Sequence, residues 1–156
     1  MLFATGQPEG ADQAMLDEFI AKDAFYYQLV SDYLKTHYSE LLQRSEFLDV
    51  FDEDDPVYPS DFGELTEEIM LKGDVFSLIR LTSIILLPPE NNAIGFCFEC
   101  AWDEEHGLGI VIYKDEVIWC DGEQQAYACL NFPEVLDLDR MYRADLAERD
   151  AELNRI

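Results

Sequence analysis

From Asp12 to about Gln43, apolar residues return at helical spacing: Leu16, Phe19 and Ile20, then Tyr26, Val30, Tyr33, Tyr38 and Leu41, with charges filling the gaps. The pattern predicts one long amphipathic helix, or two in succession with Asp23 as the N-cap of the second. Its tyrosine stripe (Tyr26, Tyr27, Tyr33, Tyr38) reads as core or core rim, with a docking face as the alternative. Further on, Pro56 and Pro59 interrupt regular structure, and Ser60 or Asp61 is placed to start a short helix through "GELTEEIM".

The period then changes. "DVFSLIRLTSIILLPP", "AIGFCFECAW", "GLGIVIYK" and "EVIWC" are rich in branched and aromatic residues and are separated by short polar breaks, the signature of strands joined as a meander. After them Leu138, Met141, Tyr142, Leu146 and Leu153 form a thin apolar stripe on a terminal helix. The expected fold class is α+β: amphipathic N-terminal helices packed on one face of an antiparallel sheet of about four strands, with a C-terminal helix. The chain reads as a single domain over 1–156, with a helical part at about 10–72, a meander at about 75–130 and the last helix at about 134–154.

Composition changes the picture through charge. Of 156 residues, 34 are acidic and 10 are Lys or Arg, a net charge of -24, while 49% hydrophobic content supplies a core. Such a field opposes nucleic acid and anionic membranes and steers in cationic ligands and basic proteins; solubility alone is the competing explanation. Ten acids and no Lys or Arg lie between Ser45 and Leu71, densest at Asp52, Glu53, Asp54 and Asp55, which predicts a solvated loop there. Repulsion between copies leaves a monomer or a weak homodimer, with an apolar patch needed to hold a tighter assembly together.

Other features narrow the class. Cys97, Cys100, Cys120 and Cys129 form no CxxC…CxxC repeat, and a strand would point Cys97 and Cys100 to opposite faces, so reduced, mostly buried thiols are expected, with zinc or redox use as the alternative. "MLFATGQPEG" lacks a basic n-region, and no stretch has the length of apolar residues that a membrane span needs; a cytoplasmic location is expected. Phosphate-loop, HExxH, GxSxG and GxGxxG patterns do not occur, and "DEDD" lacks the spacing of an EF-hand loop. No cofactor and no metal is expected.

One stretch concentrates the chemistry. In "CAWDEEHGLGI", Asp103, Glu104, Glu105 and His106 stand between two strands and are followed by Gly107 and Gly109. As a structural turn, Trp102 covers the sheet end, Asp103 binds turn amides, His106 bonds Asp103 or Glu105, and the glycines supply positive φ. As a functional loop, Asp103, Glu105 and His106 could serve acid–base or metal chemistry, although the second histidine, His37, sits on the predicted helix.

The run from Gly95 to Ala128 resembles the DUF6985-type family of small bacterial domains, on a Trp-Asp-x-Glu-His-Gly-x-Gly turn matched by Trp102, Asp103, Glu105, His106, Gly107 and Gly109. The N-terminal helices match it only as a general pattern, and the insert around Asp52–Asp55 has no counterpart. The resemblance brings no reaction with it. Similar small acidic domains occur in bacterial toxin and immunity loci, so it implies a cytoplasmic immunity protein that neutralises a cognate toxin, with a basic nuclease or a secretion-system effector as candidate partners. Asp52, Glu53, Asp54 and Asp55 are then the expected contact residues, with Tyr58 as an anchor and Glu104 and Glu105 as a second patch. The alternatives are a metal-dependent or acid–base enzyme using Asp103, Glu105 and His106, and a structural adaptor or oligomerising protein.

Overall fold

A computed structural model of the chain describes residues 13–87, 91–122 and 135–155. The first element is one continuous helix, α1 (Gln13–Ser45), whose buried residues Phe19, Asp23, Tyr26, Val30, Ser31, Leu34, Leu41 and Leu42 fall on one face at helical spacing. Asp23 therefore lies on the inward face in mid-helix and caps nothing, a correction to the two-helix alternative. Of the tyrosine stripe, Tyr26 is buried, Tyr33 and Tyr38 pack at the edge of the core and Tyr27 faces solvent.

Between α1 and the main sheet, the acidic segment holds more regular structure than its charge suggests. A 3-10 turn (Phe47–Val50) is followed by a two-stranded hairpin, β1 (Val57–Ser60) and β2 (Gly63–Thr66), and then by the short helix α2 (Glu67–Lys72). The expected helix start at Ser60 or Asp61 is thus the hairpin turn. There the Ser60 hydroxyl accepts from the Phe62 N–H and donates to the Gly63 carbonyl, and Gly63 adopts φ 98°. The N-cap of α2 is Thr66, whose hydroxyl accepts from the Ile69 N–H at 3.2 Å.

The main sheet is an antiparallel meander in the order β3 (Ile79–Leu86), β4 (Ala93–Cys100), β5 (Leu108–Tyr113), β6 (Glu116–Asp121). A bulge at Thr82 shifts the register of β3 against β4, and the Thr82 hydroxyl donates to the Cys97 carbonyl at 2.9 Å. The β5–β6 turn is made by Lys114 and Asp115, both at positive φ (50° and 64°), and is tied down by a Lys114 N–H to Asn92 carbonyl bond and a Lys22–Asp115 ion pair.

In the central strands, residues on both faces are buried, the pattern of a sheet covered on two sides. Ile94, Phe96, Phe98 and Cys100 of β4, with Leu108, Ile110 and Ile112 of β5, face α1, where Tyr26 meets Phe96 with ring centroids 6.1 Å apart. Ala93, Val111 and Tyr113 turn the other way. The C-terminal helix α3 (Val135–Leu153) reaches them through Tyr142, edge-on to Tyr113 at 5.8 Å, and through an Arg149–Glu116 ion pair. The helices thus contact both faces of the sheet rather than one. Among the described residues, no helix is long and apolar enough to cross a membrane.

Candidate functional site

Beyond Cys100 the chain leaves β4, and the next seven residues return it to β5. Ala101 stays attached to the sheet through its N–H to the Leu78 carbonyl, and the indole of Trp102 is buried against Tyr38 of α1, centroids 5.4 Å apart. Tyr38 is itself fixed by its hydroxyl, which donates to the Met70 carbonyl at 2.6 Å; burial pushes that phenol up to about 12. Trp102 is therefore the floor of the loop and joins the sheet to α1, which Tyr38 in turn ties to α2.

On that floor Asp103 organises the turn. Its Oδ1 accepts from the His106 backbone N–H at 3.0 Å and lies 2.9 Å from His106 Nδ1, while its carbonyl accepts from the Gly107 N–H at 2.9 Å. From below, the Cys100 thiol reaches the same carbonyl at 3.5 Å. Burial pushes this thiol up to about 12, so Cys100 is a neutral, weak donor; both Cys97 and Cys100 are reduced and buried. Gly107 takes φ 61°, the left-handed conformation that closes the loop. Gly109, by contrast, lies inside β5 opposite Cys97 and Asp121.

His106 is exposed, and its hydrogen bond and charge interaction with Asp103 raise its pKa above the usual imidazole value, with a smaller contribution from Glu105. With Nδ1 held by the carboxylate, Nε2 is the ring nitrogen left to exchange a proton with another molecule. Glu105 is exposed beside it. A shallow cleft under the loop is lined by Leu41, Arg44 and Ser45 of α1, by Trp102 and Asp103, and by Gly122. Among the described residues, no group of three or more His, Cys, Asp or Glu side chains is placed to hold a metal ion.

The acidic segment repeats the same device at the surface. Asp52 Oδ1 accepts from the N–H groups of Asp54 and Asp55 at 2.8 and 2.7 Å, and Asp52, Glu53, Asp54 and Asp55 are all exposed. Tyr58 is half-buried with its ring edge-on to Phe47 at 5.3 Å, which pins β1 to the 3-10 turn. At the hairpin tip, the Asp61 N–H donates to Glu104 Oε1 at 3.3 Å, so the loop between β4 and β5 touches the hairpin. Glu104 meets the tip while Asp52–Asp55 precede the base, about 13 Å away along the four residues of β1. The two acidic patches are thus linked by the hairpin without merging.

Sequence reasoning located the turn and its principal residue but missed what lies beneath. Cys100, Tyr38 and Leu41 were legible as core positions, but nothing local to them signals that they lie under this loop. The CxxC spacing, with one thiol on each side of a strand, was the available hint that Cys100 could face the α1 side.

No curated protein and no solved structure matches the chain. A family model described as "Domain of unknown function (DUF6985)" matches residues 3–128, taking in α1, the hairpin and the whole main sheet and ending before α3. The acidic segment and the helix are thus within the match, which extends well beyond the turn and strands that carry the resemblance in sequence. The chain belongs to the DUF6985 family.

Proposed function

We propose that the protein is a cytoplasmic immunity protein, which binds a cognate toxin with a basic surface and blocks it without catalysis. The observation that carries this reading is the arrangement of the acids: Glu53, Asp54 and Asp55 are exposed on a loop before the hairpin that Asp52 closes by accepting two backbone N–H groups, and Glu104 is exposed at the hairpin tip, where it accepts from the Asp61 N–H. A net charge of -24 speeds encounter with a cationic surface, and anchored loops lose little entropy when they dock. Tyr58 serves this reading as a support for the hairpin, since its ring is engaged by Phe47.

The test is co-expression with the products of adjacent genes. A growth-arresting product that this protein rescues, in a stoichiometric complex weakened by salt, supports the proposal. Rescue through degradation or modification of the toxin, with no complex, overturns it. A second reading, acid–base chemistry, draws on the Asp103–His106 pair, in which the carboxylate orients the imidazole as an acid–base catalyst requires. Under that reading, His106→Ala abolishes an activity and leaves folding and partner binding intact.

A further inference from the structure

The hairpin has an outer face that is exposed among the described residues. Along β1 the residues alternate, with Tyr58 turned toward the core beside buried Leu65, and Val57 and Pro59 turned outward. Val57 is 38% exposed; Val50, in the 3-10 turn before the hairpin, is 41% exposed, and Ile69, in the helix after it, 40%. Solvent-facing branched side chains at these three places are not used by the core, and they fall within the stretch from Ser45 to Leu71 that has ten acids and no Lys or Arg.

We infer that the outer face of the β1–β2 hairpin, centred on Val57 and Pro59, is a docking surface for a basic protein segment with an aliphatic centre. The charge around it selects the occupant. Asp52–Asp55 precede it at the base, Glu64 stands opposite Pro59 on β2, and Glu104 meets the tip; the one described cation at the hairpin, Arg80 over the Phe62 ring, is paired with Glu99, so the surroundings stay net acidic. An apolar centre with a charged rim is the ordinary layout of a protein interface: the centre holds the complex together and the rim sets on-rate and choice of partner. A second copy of this chain would bring the same acids against these, so the complementary surface is a lysine- or arginine-rimmed one. Pro59 also removes a backbone donor from the hairpin, which disfavours strand addition along β1 and leaves the side-chain face as the contact. This inference rests on the basic-partner reading above and assigns that partner a face.

The experiment uses the full chain and two synthetic peptides of matched length and lysine content, one carrying leucines and the other serines between the lysines. Affinities are read by fluorescence anisotropy and the bound surface by amide chemical-shift mapping. The leucine peptide is expected to bind about tenfold more tightly, since burying even one branched side chain is worth that factor. Its shifts are expected over residues 50–71 and Glu104. Val57→Thr, which keeps charge and a β-branched side chain on the strand, is expected to remove the leucine preference and leave the serine peptide's affinity unchanged. Equal affinities for the two peptides, or shifts centred on the exposed residues of α1, overturn the assigned face while leaving the basic-partner reading standing. Failure of both peptides to bind at low salt overturns the face and that reading together.

Discussion

The loops at Asp52–Asp55 and Asp103–His106 are closed by one device and rest on different foundations. In each, an aspartate carboxylate accepts a backbone N–H from two or three residues ahead. Beneath Asp103 lie Trp102, Cys100 and Leu108, all buried in the main core; the four acids from Asp52 onward all face solvent. Local hydrogen bonding therefore fixes the shape of a loop, and what lies under it decides whether a substitution is felt by the fold or only by a visitor.

The strongest way to break this contrast is at its floor. Trp102→Ala removes the indole shared by α1 and the loop and is expected to cost about 3–5 kcal/mol in urea unfolding; a loss below about 1 kcal/mol would mean that the loop does not rest on the core. Next, Asp103→Ala withdraws the side-chain acceptor of the turn and is expected to cost about 1–2 kcal/mol by the same measurement. Asp52→Ala, whose freed N–H groups turn to water, is expected to change stability by about 0.5 kcal/mol or less while slowing association with a basic partner in stopped-flow mixing. If Asp52→Ala and Asp103→Ala prove equally costly, the contrast fails.

The smallest effect sharpens it. The folded pKa of His106 is raised above its unfolded value, so the contribution of the Asp103 contact is fully present below the ordinary imidazole range, about pH 6.5, and is lost as pH rises through the raised folded value. Imidazole titration by NMR is expected to show a midpoint above that range in the native chain and a return toward it in Asp103→Asn. An unchanged midpoint in that variant would assign the shift to the general negative field of the protein.

The meander was legible because its apolar runs are long, branched and bounded by breaks, from Ile79 to Leu86 and from Ala93 to Cys100. The hairpin was not. Val57–Ser60 and Gly63–Thr66 are four residues each, one contains a proline, and the surrounding acids favour solvent, so neither periodicity nor propensity has room to show. Asp23 misled because aspartate is a common N-cap, whereas here its position three residues before Tyr26 and four after Phe19 sets it on the inward stripe. The second covering layer went unread, since helices were expected on one face; the absence of alternation in "GIVIY", which places apolar residues on both faces of β5, is the signal that carries it. At the site, the turn residues were legible as local chemistry; their support came from α1, more than sixty residues earlier in the chain, and contacts at that separation leave no spacing to read.

The thiol of Cys100 also gives the protein an internal clock. Buried under Asp103, with burial pushing its pKa up to about 12, it is shielded in the folded chain from a water-soluble alkylating reagent, so its modification rate, read peptide by peptide in a mass spectrometer, reports the openings that expose it. A partner seated across the hairpin tip and Glu104 would slow that clock without touching the sulfur, and residence on the protein could then be followed as the protection of one buried atom.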